Sequence, residues 1–362
     1  MSLTKKTSIV AILAALLLCC SLFMAGCSSS GSDTKASGNQ AKENTTEQTE
    51  FNKARANLDE KMKASDVKGN SSDTYGLILS SLGNEFWQTE KDGAVDAAKE
   101  FGVTLDVQAT DKDTDYTGQL DIMQTMVSKK YKALAVSPLS ENNLVNGIAD
   151  ANKAGVKVIL NGTLQNEDAM KAANASVDGT MQMDFMKQGT MAGEFAAKKC
   201  NNKGNAAIIA GTEGATNSDG RRDGAKNAME KAGMKVVAVQ QCDFDQQKAY
   251  DATKSIMQAN PDIVAITCGN DDMAMGVIKA LDELGKKDNV VVVGNDFTSE
   301  AKESIKAGKL DATVAMSPYL GGRACTIAMI RASQGENVGT VTDYIPMNLV
   351  SADNVADMED WK

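Results

Sequence analysis

Residues 133–160, ALAVSPLSENNLVNGIADANKAGVKVIL, contain a complete strand–helix–strand unit. The apolar run at 133–136 is typical of a buried strand. The residues at 141–154 are predicted to form a helix, which Gly155 ends. A second apolar run at 156–160 follows at once. Two strands that are joined through one helix in this way are typical of a parallel sheet covered by helices.

The same alternation extends in both directions from this unit. Upstream, an apolar run at 75–80 and a helical pattern at 85–101 begin the series, and downstream the series restarts after Val177. Helices are predicted at 180–199 and 219–231 in this second block, with strands between them. One hydrophobic core stops growing near about 250–300 residues. Two blocks of similar size therefore predict two doubly wound parallel-sheet α/β domains.

The amino-terminal residues have the pattern of an export signal. Two lysines precede an apolar run at 9–25, and Cys27 follows the small residues that end it. This ending resembles a bacterial lipobox, which implies cleavage before Cys27 and a lipid on its sulfur. The alternative is a transmembrane helix, but the run barely reaches the length of about 20 residues that is needed, and serines rather than basic residues follow it. The sequence therefore predicts a signal peptide at 1–26 and a lipid anchor at the outer face of the cell membrane.

Residues 27–72 are predicted to form a flexible tether. The residues from 28 to 50 are mostly Ser, Gly, Thr, Asn, Gln, Lys and Glu, which cannot bury enough apolar surface to offset the entropy of ordering. Residues 51–64 have the pattern of a short amphipathic helix, but a Gly-Asn-Ser-Ser run follows at 69–72. We expect a linker that contains at most this short helix.

Composition excludes several classes of function. The chain of 362 residues has a formal net charge of −10, whereas a nucleic-acid partner needs a basic face. Histidine is absent, which removes the commonest general base and zinc ligand. No nucleotide-phosphate loop motif occurs. Four cysteines outside the signal are too widely spaced for a zinc site, and are expected to be small buried hydrophobic residues: Cys200, Cys242, Cys268 and Cys325. We expect no enzyme activity, no cofactor and no metal.

Polar residues follow several of the predicted strands. Asn84 comes soon after the first strand, Asn270 follows a strand of the second block, and Asp296 follows the next strand. Ligands of open parallel sheets bind beyond the carboxyl ends of the strands. Each of these residues could alone be a helix N-cap. Their recurrence, with aromatic residues beside Asn84, predicts a polar pocket that also has apolar walls.

Four motifs together resemble the ribose-binding branch of the type I periplasmic sugar-binding proteins. They are SSLGNEFW at 80–87, CDFD at 242–245, GNDDMAMG at 269–276 and VVGND at 292–296. The resemblance implies two domains that are joined by a three-strand hinge and close over a sugar in the cleft between them. It divides the chain into a first domain, 73–176 plus 317–345, and a second domain, 177–316 plus 346–362.

The resemblance also implies which residues contact the ligand. Phe86, Trp87 and Phe244 would enclose the sugar ring, because aromatic rings stack on its C–H faces. Hydrogen bonds to the hydroxyl groups would come from Asn84, Asn270 and Asp296, and Ser80 matches a further contact position. The carboxylate of Asp296 would make the strongest of these hydrogen bonds, since it is charged.

The chain departs from the ribose-binding pattern at four positions, three of which are added to the predicted contacts. Asn161 and Gly162 stand where the family has an Asp-Arg pair. A second family arginine aligns with Asp219, and a family glutamine aligns with Met316. By this alignment the pocket lacks both arginines and leaves its aspartates without a matched cation, unless a register shift around 220–223 returns one. The departures predict a ligand with more donors, a deoxy sugar that contacts Met316, or an amine-bearing ligand.

The whole pattern predicts a monomeric, lipid-anchored receptor that captures a sugar or sugar-like ligand and delivers it to the permease of an ABC importer. A transcription repressor of the same fold would need an N-terminal helix-turn-helix, but this chain has an export signal there. An exported sensor that presents the ligand to a receptor kinase or chemoreceptor would share the fold and the pocket. The sequence does not separate this sensor from the importer component.

Overall fold

The computed structural model describes residues 49–362, and the predicted signal peptide, Cys27 and the first part of the predicted tether lie outside them. These residues form two lobes, each built on a six-stranded sheet. The strands of the first sheet are parallel and are β1 (Thr74–Ser81), β2 (Thr104–Thr110), β3 (Ala133–Val136), β4 (Lys157–Asn161), β5 (Gly179–Met181) and β11 (Gly339–Val341). Their order in space is β11-β5-β4-β3-β1-β2.

The second sheet repeats this arrangement. Its strands are β6 (Asn205–Ala210), β7 (Lys235–Gln241), β8 (Ile263–Cys268), β9 (Val291–Asp296), β10 (Ala312–Ala315) and β12 (Asn348–Ser351). Their order is β12-β10-β9-β8-β6-β7, with β12 as an antiparallel edge strand. In both sheets the winding direction reverses beside the first strand, which creates a switch point between β1 and β3 and another between β6 and β8. The predicted fold class is confirmed.

Helices connect the strands of both sheets. In the described residues they are α1 (Glu50–Lys61), α2 (Glu85–Phe101), α3 (Tyr116–Ser128), α4 (Val145–Ala154), α5 (Glu167–Ala172), α6 (Phe185–Lys199), α7 (Thr216–Ala232), α8 (Gln246–Ala259), α9 (Asp271–Glu283), α10 (Ser299–Lys306) and α11 (Pro318–Ser333). The sequence predicts a helix from residue 180, but α6 begins later because the Asp184 side chain caps it, accepting from the Lys187 N–H at 2.8 Å. Strand β5 precedes this cap and belongs to the first sheet, although the second domain is expected to begin at 177.

The chain passes between the lobes three times. The crossing segments are 182–184, 316–317 and 342–347. The first and third crossings start side by side, since the Gln182 N–H donates to the Val341 carbonyl at 2.9 Å. These short segments stand where the three-strand hinge is expected.

Helix α1 lies within the segment that is predicted to be a tether with at most a short helix at 51–64. Phe51, Ala54 and Leu58 recur on one face of the helix and are buried, Leu58 completely. The ring of Phe51 meets the ring of Tyr319 in α11 edge-on, with 5.7 Å between the centroids. This helix is therefore a packed part of the folded body, because its three buried apolar residues share one face.

A buried arginine also links α1 to α2 and α11 through hydrogen bonds. Arg323 of α11 is 2% exposed and donates to both carboxylate oxygens of Asp59 in α1, at 2.6 and 3.0 Å. It also donates to both carboxylate oxygens of Glu100 in α2, at 2.9 and 2.8 Å. The hydrogen bonds from Arg323 lower the pKa of the Glu100 carboxyl and so favour its charged form. Paired arginine–carboxylate bonds are among the strongest polar contacts in proteins, so they hold α1 in one position.

Candidate functional site

A cavity lies between the two lobes, at the carboxyl ends of β1, β3 and β4 on one side and of β8 and β9 on the other. This is where the switch-point rule places a ligand. Eight of the ten predicted contact residues line this cavity: Ser80, Asn84, Phe86, Trp87, Asn161, Phe244, Asn270 and Asp296. The other two, Asp219 and Met316, do not line it.

Aromatic rings enclose the cavity from both lobes. Phe86 and Trp87 at the start of α2 meet edge to face, with centroids 5.0 Å apart and ring planes at 85°. Phe244 comes from the loop after β7, where its φ is 58°. Its ring lies so close to Gly211 that an added Cβ there would come within 2.2 Å of a ring atom. Glycine at position 211 therefore makes room for the Phe244 ring at the cavity.

Asn84 and Asn270 cap helices and line the cavity at the same time. Asn84 Oδ1 accepts from the Phe86 N–H at 2.7 Å, and Asn270 Oδ1 accepts from the Met273 N–H at 3.0 Å. Both interpretations of the sequence, cap and pocket residue, thus describe the structure. Capping uses the oxygen of each amide and leaves the Nδ2 group for a second partner.

The second lobe contributes a buried ion pair. Arg221 Nη2 lies 3.1 Å from Asp296 Oδ1, and the two side chains are 7% and 6% exposed. Arg221 also donates to Gln188 Oε1 at 2.6 Å and to the Gly269 carbonyl at 2.7 Å. Burial raises the pKa of Asp296 to about 7, while the charge of Arg221 opposes this rise. The pocket aspartate therefore has a matched cation, and Arg221 is the arginine that a register shift around 220–223 would return.

Helical rotation explains why Arg221 lines the cavity and Asp219 does not. Two residues along an α-helix are separated by about 200° around its axis, so these two side chains leave α7 on opposite sides. Asp219 instead pairs with Arg222, with 2.5 Å between Oδ1 and Nη1. Gly189 of α6 permits the close approach of α7, because a Cβ there would lie 2.0 Å from the Arg221 carbonyl oxygen. The rotation and the close helix contact together fix Arg221 in the cavity wall.

Met316 lies behind the ion pair. It is 2% exposed in the second crossing segment, and its Sδ accepts a hydrogen bond from Gln188 Nε2 at 2.8 Å. Because Gln188 also accepts from Arg221, Met316 helps to position the arginine indirectly. Met316 is predicted to contact the ligand, but its side chain lies behind the cavity wall and does not line the cavity.

Two acidic residues of the cavity wall are not predicted from the sequence. Glu90 is completely buried, and burial raises the pKa of its carboxyl to about 8. Burial and the nearby Asp272 carboxylate raise the pKa of Asp113 to about 6. Glu90 has one detectable signal, since it precedes Ala94 and Ala97 by one and two turns on the buried face of α2. Asp113 stands in a polar loop that carries no such signal.

Hydrogen bonds join the lobes directly beside the cavity. Asn84 Nδ2 donates to Asp272 Oδ2 at 2.9 Å. Glu85 accepts from the Ser299 backbone N–H at 3.0 Å and from the Ser299 hydroxyl at 2.5 Å. Ser299 is the first residue of α10, so a carboxylate lies at a helix N-terminus, where negative charge is favoured. These bonds hold the two lobes against each other.

Neither a metal cluster nor a membrane-spanning helix occurs in residues 49–362. No group of three or more Cys, Asp or Glu side chains in this range could hold a metal ion. None of its helices is both long enough and apolar enough to cross a bilayer. Cys242, Cys268 and Cys325 are buried free thiols, and Cys200 is a partly buried one. Burial raises the pKa of all four, which keeps them uncharged, as expected of small hydrophobic residues.

Comparison with known proteins gives a consistent result over most of the chain. A family model described as a periplasmic binding protein domain matches residues 75–337. The D-allose-binding periplasmic protein of Escherichia coli is 38% identical over 266 residues, which are 73% of this chain and 86% of that protein. The ribose import binding protein RbsB of Haemophilus influenzae is 32% identical over 266 residues, which are 74% and 87% of the two chains.

A solved structure shows the same fold. An ABC transporter periplasmic solute binding protein from Actinobacillus succinogenes, with bound D-allose, matches with a TM-score of 0.73 and 26% identity, over 79% of this chain and 99% of that chain. All three matched proteins are binding proteins rather than enzymes, which accords with the prediction for this chain. The resemblance that the motifs suggest is confirmed, and the chain belongs to the family of periplasmic binding proteins.

Proposed function

We propose that this protein is an extracytoplasmic receptor that captures a sugar or sugar-like ligand between its lobes and delivers it to the permease of an ABC importer. The observation that carries the proposal is the cavity, in which rings from both lobes combine with amide, carboxylate and guanidinium groups. Such walls suit a molecule that has apolar C–H faces and a polar hydroxyl edge. The relatives named for D-allose and ribose support the sugar class.

The mechanism that we propose is closure around the ligand. Ser80, Asn84 and Trp87 would hold it from the first lobe, and Asn270 and Asp296 from the second. Ligand that bridges both walls stabilises the closed form, because only this form offers both sets of contacts. The three crossing segments would act as the hinge, and the receptor would work as a monomer.

The anchor is a separate part of the proposal. We propose that residues 1–26 are removed and that Cys27 carries a lipid, which holds the receptor at the outer face of the cell membrane. Cys27 lies outside the described residues, so this part rests on the basic start, the apolar run and the small residues of the sequence.

A thermal-shift screen tests the proposed ligand class. A ligand that binds the folded state raises the melting temperature by mass action. Pentoses, hexoses, polyols and amino sugars should be compared, and we expect at least one uncharged sugar or polyol to raise the melting temperature of the wild-type protein. Failure of every such compound at millimolar concentration would contradict the proposal.

Trp87→Ala should weaken binding of the ligand found in this screen by about 5- to 150-fold. The loss of a stacking ring typically costs about 1–3 kcal/mol. Isothermal titration calorimetry measures the change, and Tyr116→Ala is the control because this aromatic side chain is exposed on α3, away from the cavity. An affinity for Trp87→Ala equal to that of the control would remove the start of α2 from the site.

Glu85→Ala should weaken binding by about two- to fivefold. A carboxylate at an exposed helix N-terminus contributes about 0.3–1 kcal/mol, and here it does so only while the lobes are in contact. Small-angle scattering of the unliganded variant should show a larger radius of gyration than the wild type. Glu303→Ala is the control, since Glu303 pairs with Lys306 on its own helix. If Glu85→Ala matches the wild type in affinity and in radius, this contact does not stabilise the closed form.

A further inference from the structure

Glu90 occupies a fixed position where α2 and α11 meet the cavity. Its side chain is completely buried and forms part of the cavity wall. Gly322 of α11 permits the close approach of the two helices, because a Cβ there would lie 1.9 Å from the Glu90 carbonyl oxygen. The backbone of Glu90 is therefore held close against α11 beside the cavity.

The carboxyl group of Glu90 forms a pair with the amide of Asn161. Asn161 Nδ2 donates to Glu90 Oε1 at 2.6 Å and to Ser137 Oγ at 2.8 Å. Within residues 49–362, Glu90 Oε2 and Asn161 Oδ1 find no hydrogen-bond partner, although both atoms are buried. Buried polar atoms in folded proteins are almost always hydrogen-bonded. Since both residues line the cavity, a molecule bound there can supply the missing partners.

The surroundings of Glu90 favour its uncharged form. Burial raises the pKa of its carboxyl to about 8, the Asn161 amide opposes this rise, and no basic side chain of residues 49–362 is among the groups that shift it. The titratable groups that face it are Cys325 of α11 and Tyr344 of the third crossing, and burial raises the pKa of both well above their ordinary values. Arg221 is already paired with Asp296 on the other side of the cavity.

We propose that Glu90 and Asn161 together select an uncharged polyhydroxylated ligand by binding two neighbouring hydroxyl groups. The carboxylic acid of Glu90 donates its O–H to one hydroxyl, and Asn161 Oδ1 accepts from the other. The inference rests on the proposed function and narrows the class of ligand to uncharged molecules, because an ammonium-bearing ligand would require the ionised form of Glu90. A neutral acid and an amide would thus take the place of the charged Asp-Arg pair that the ribose-binding pattern has at positions 161 and 162.

Glu90→Gln tests this pairing, because glutamine keeps the shape, one donor and one acceptor of the neutral acid but never ionises. An uncharged sugar or polyol that raises the melting temperature of the wild type is titrated into both proteins between pH 5.5 and pH 9.5. At pH 7 we expect affinities within about threefold of each other. Above about pH 8, the wild-type association constant should fall by up to about tenfold per pH unit relative to the variant. A loss of more than about 100-fold in Glu90→Gln at pH 7, or a preference of the wild type for amino sugars, would overturn the inference.

The unliganded proteins give a second readout, which does not require a ligand. The pKa of the Glu90 carboxyl has its ordinary value of 4.5 in the unfolded chain and is raised by burial to about 8 in the folded protein. Between these values the wild-type unfolding constant should therefore rise by up to about tenfold per pH unit relative to Glu90→Gln, as urea denaturation would show. Parallel pH profiles would mean that Glu90 is already ionised, and the inference would fail.

The proposed sugar binding and the proposed role of Glu90 can fail separately. If no uncharged sugar or polyol binds the wild type, the proposed function and the proposed role of Glu90 and Asn161 both fail. If one binds but Glu90→Gln loses most of the affinity at pH 7, only the role of the neutral acid is wrong.

Discussion

Arg221→Met should lower the free energy of unfolding by about 3–5 kcal/mol and weaken ligand binding by about 10- to 150-fold. Removal of one partner from a buried ion pair is strongly destabilising, because the buried Asp296 carboxyl loses its cation and must either stay charged without a partner or take up a proton. The affinity loss follows because a hydrogen bond from a charged donor contributes about 1.5–3 kcal/mol. Urea denaturation and isothermal titration calorimetry measure the two effects separately.

The neighbouring arginine gives a matched control for this prediction. Arg222 is 22% exposed and pairs with Asp219 and Asp223 on the outer side of α7. Exposed ion pairs contribute about 0–1 kcal/mol, so Arg222→Met should cost about 1 kcal/mol or less and leave the affinity unchanged. Equal losses from the two substitutions would contradict the assignment of Arg221 to the cavity. An unchanged affinity for Arg221→Met would show that the ion pair is structural alone.

The strands and the residues at their carboxyl ends are predictable from the sequence. A buried parallel strand is a short apolar run, and the first polar residues after it must lie at the edge of the sheet. Asn270 and Asp296 are found at the cavity for this reason. Asn84 follows the same rule, and its role as an N-cap does not conflict with it. The periodicity of the chain thus predicts this part of the site without any packing detail.

Residues that reach the cavity from within helices are harder to predict, because their direction depends on how each helix is rotated. Arg221 and Asp219 are two positions apart, and the close packing of α7 on α6, as at Gly189, decides which of them faces inward. Glu90 likewise depends on Gly322, which lies far away in sequence on α11. A charged residue on a helix is usually a solvent-exposed one. Its burial at these two places follows from tertiary packing, which local patterns do not contain.

The docking of helix α1 also depends on residues that are distant in the sequence. Its residues are mostly polar, so the segment looks like a continuation of the linker before it. Three apolar residues on one face are enough for docking, however, because α11 supplies the partners Tyr319 and Arg323. These partners are more than two hundred residues away in the sequence, so no local sequence pattern indicates them. Predictions of tethers from composition should therefore consider the spacing of the few apolar residues that remain.

Leu58→Ala should lower the free energy of unfolding by about 2–5 kcal/mol and leave the ligand affinity unchanged. Leu58 is completely buried against the folded body, and a leucine-to-alanine change in such a place removes apolar contacts and leaves a cavity. The affinity should not change, because α1 contributes no residue to the cavity between the lobes. Urea denaturation of the unliganded protein and calorimetric titration with the ligand of the thermal-shift screen measure both quantities.

Asn57→Ala is the matched control, since Asn57 is exposed and adjacent in the same helix. An exposed substitution of this kind changes stability by about 0.5 kcal/mol or less. If the two variants unfold at the same urea concentration, α1 contributes nothing to the folded body and residues 50–61 are linker, as their composition suggests. If Leu58→Ala instead weakens ligand binding as well, α1 is coupled to closure of the lobes. Its edge-on contact with Trp361, at 6.4 Å between the Phe51 and Trp361 centroids, is then the first candidate for that coupling.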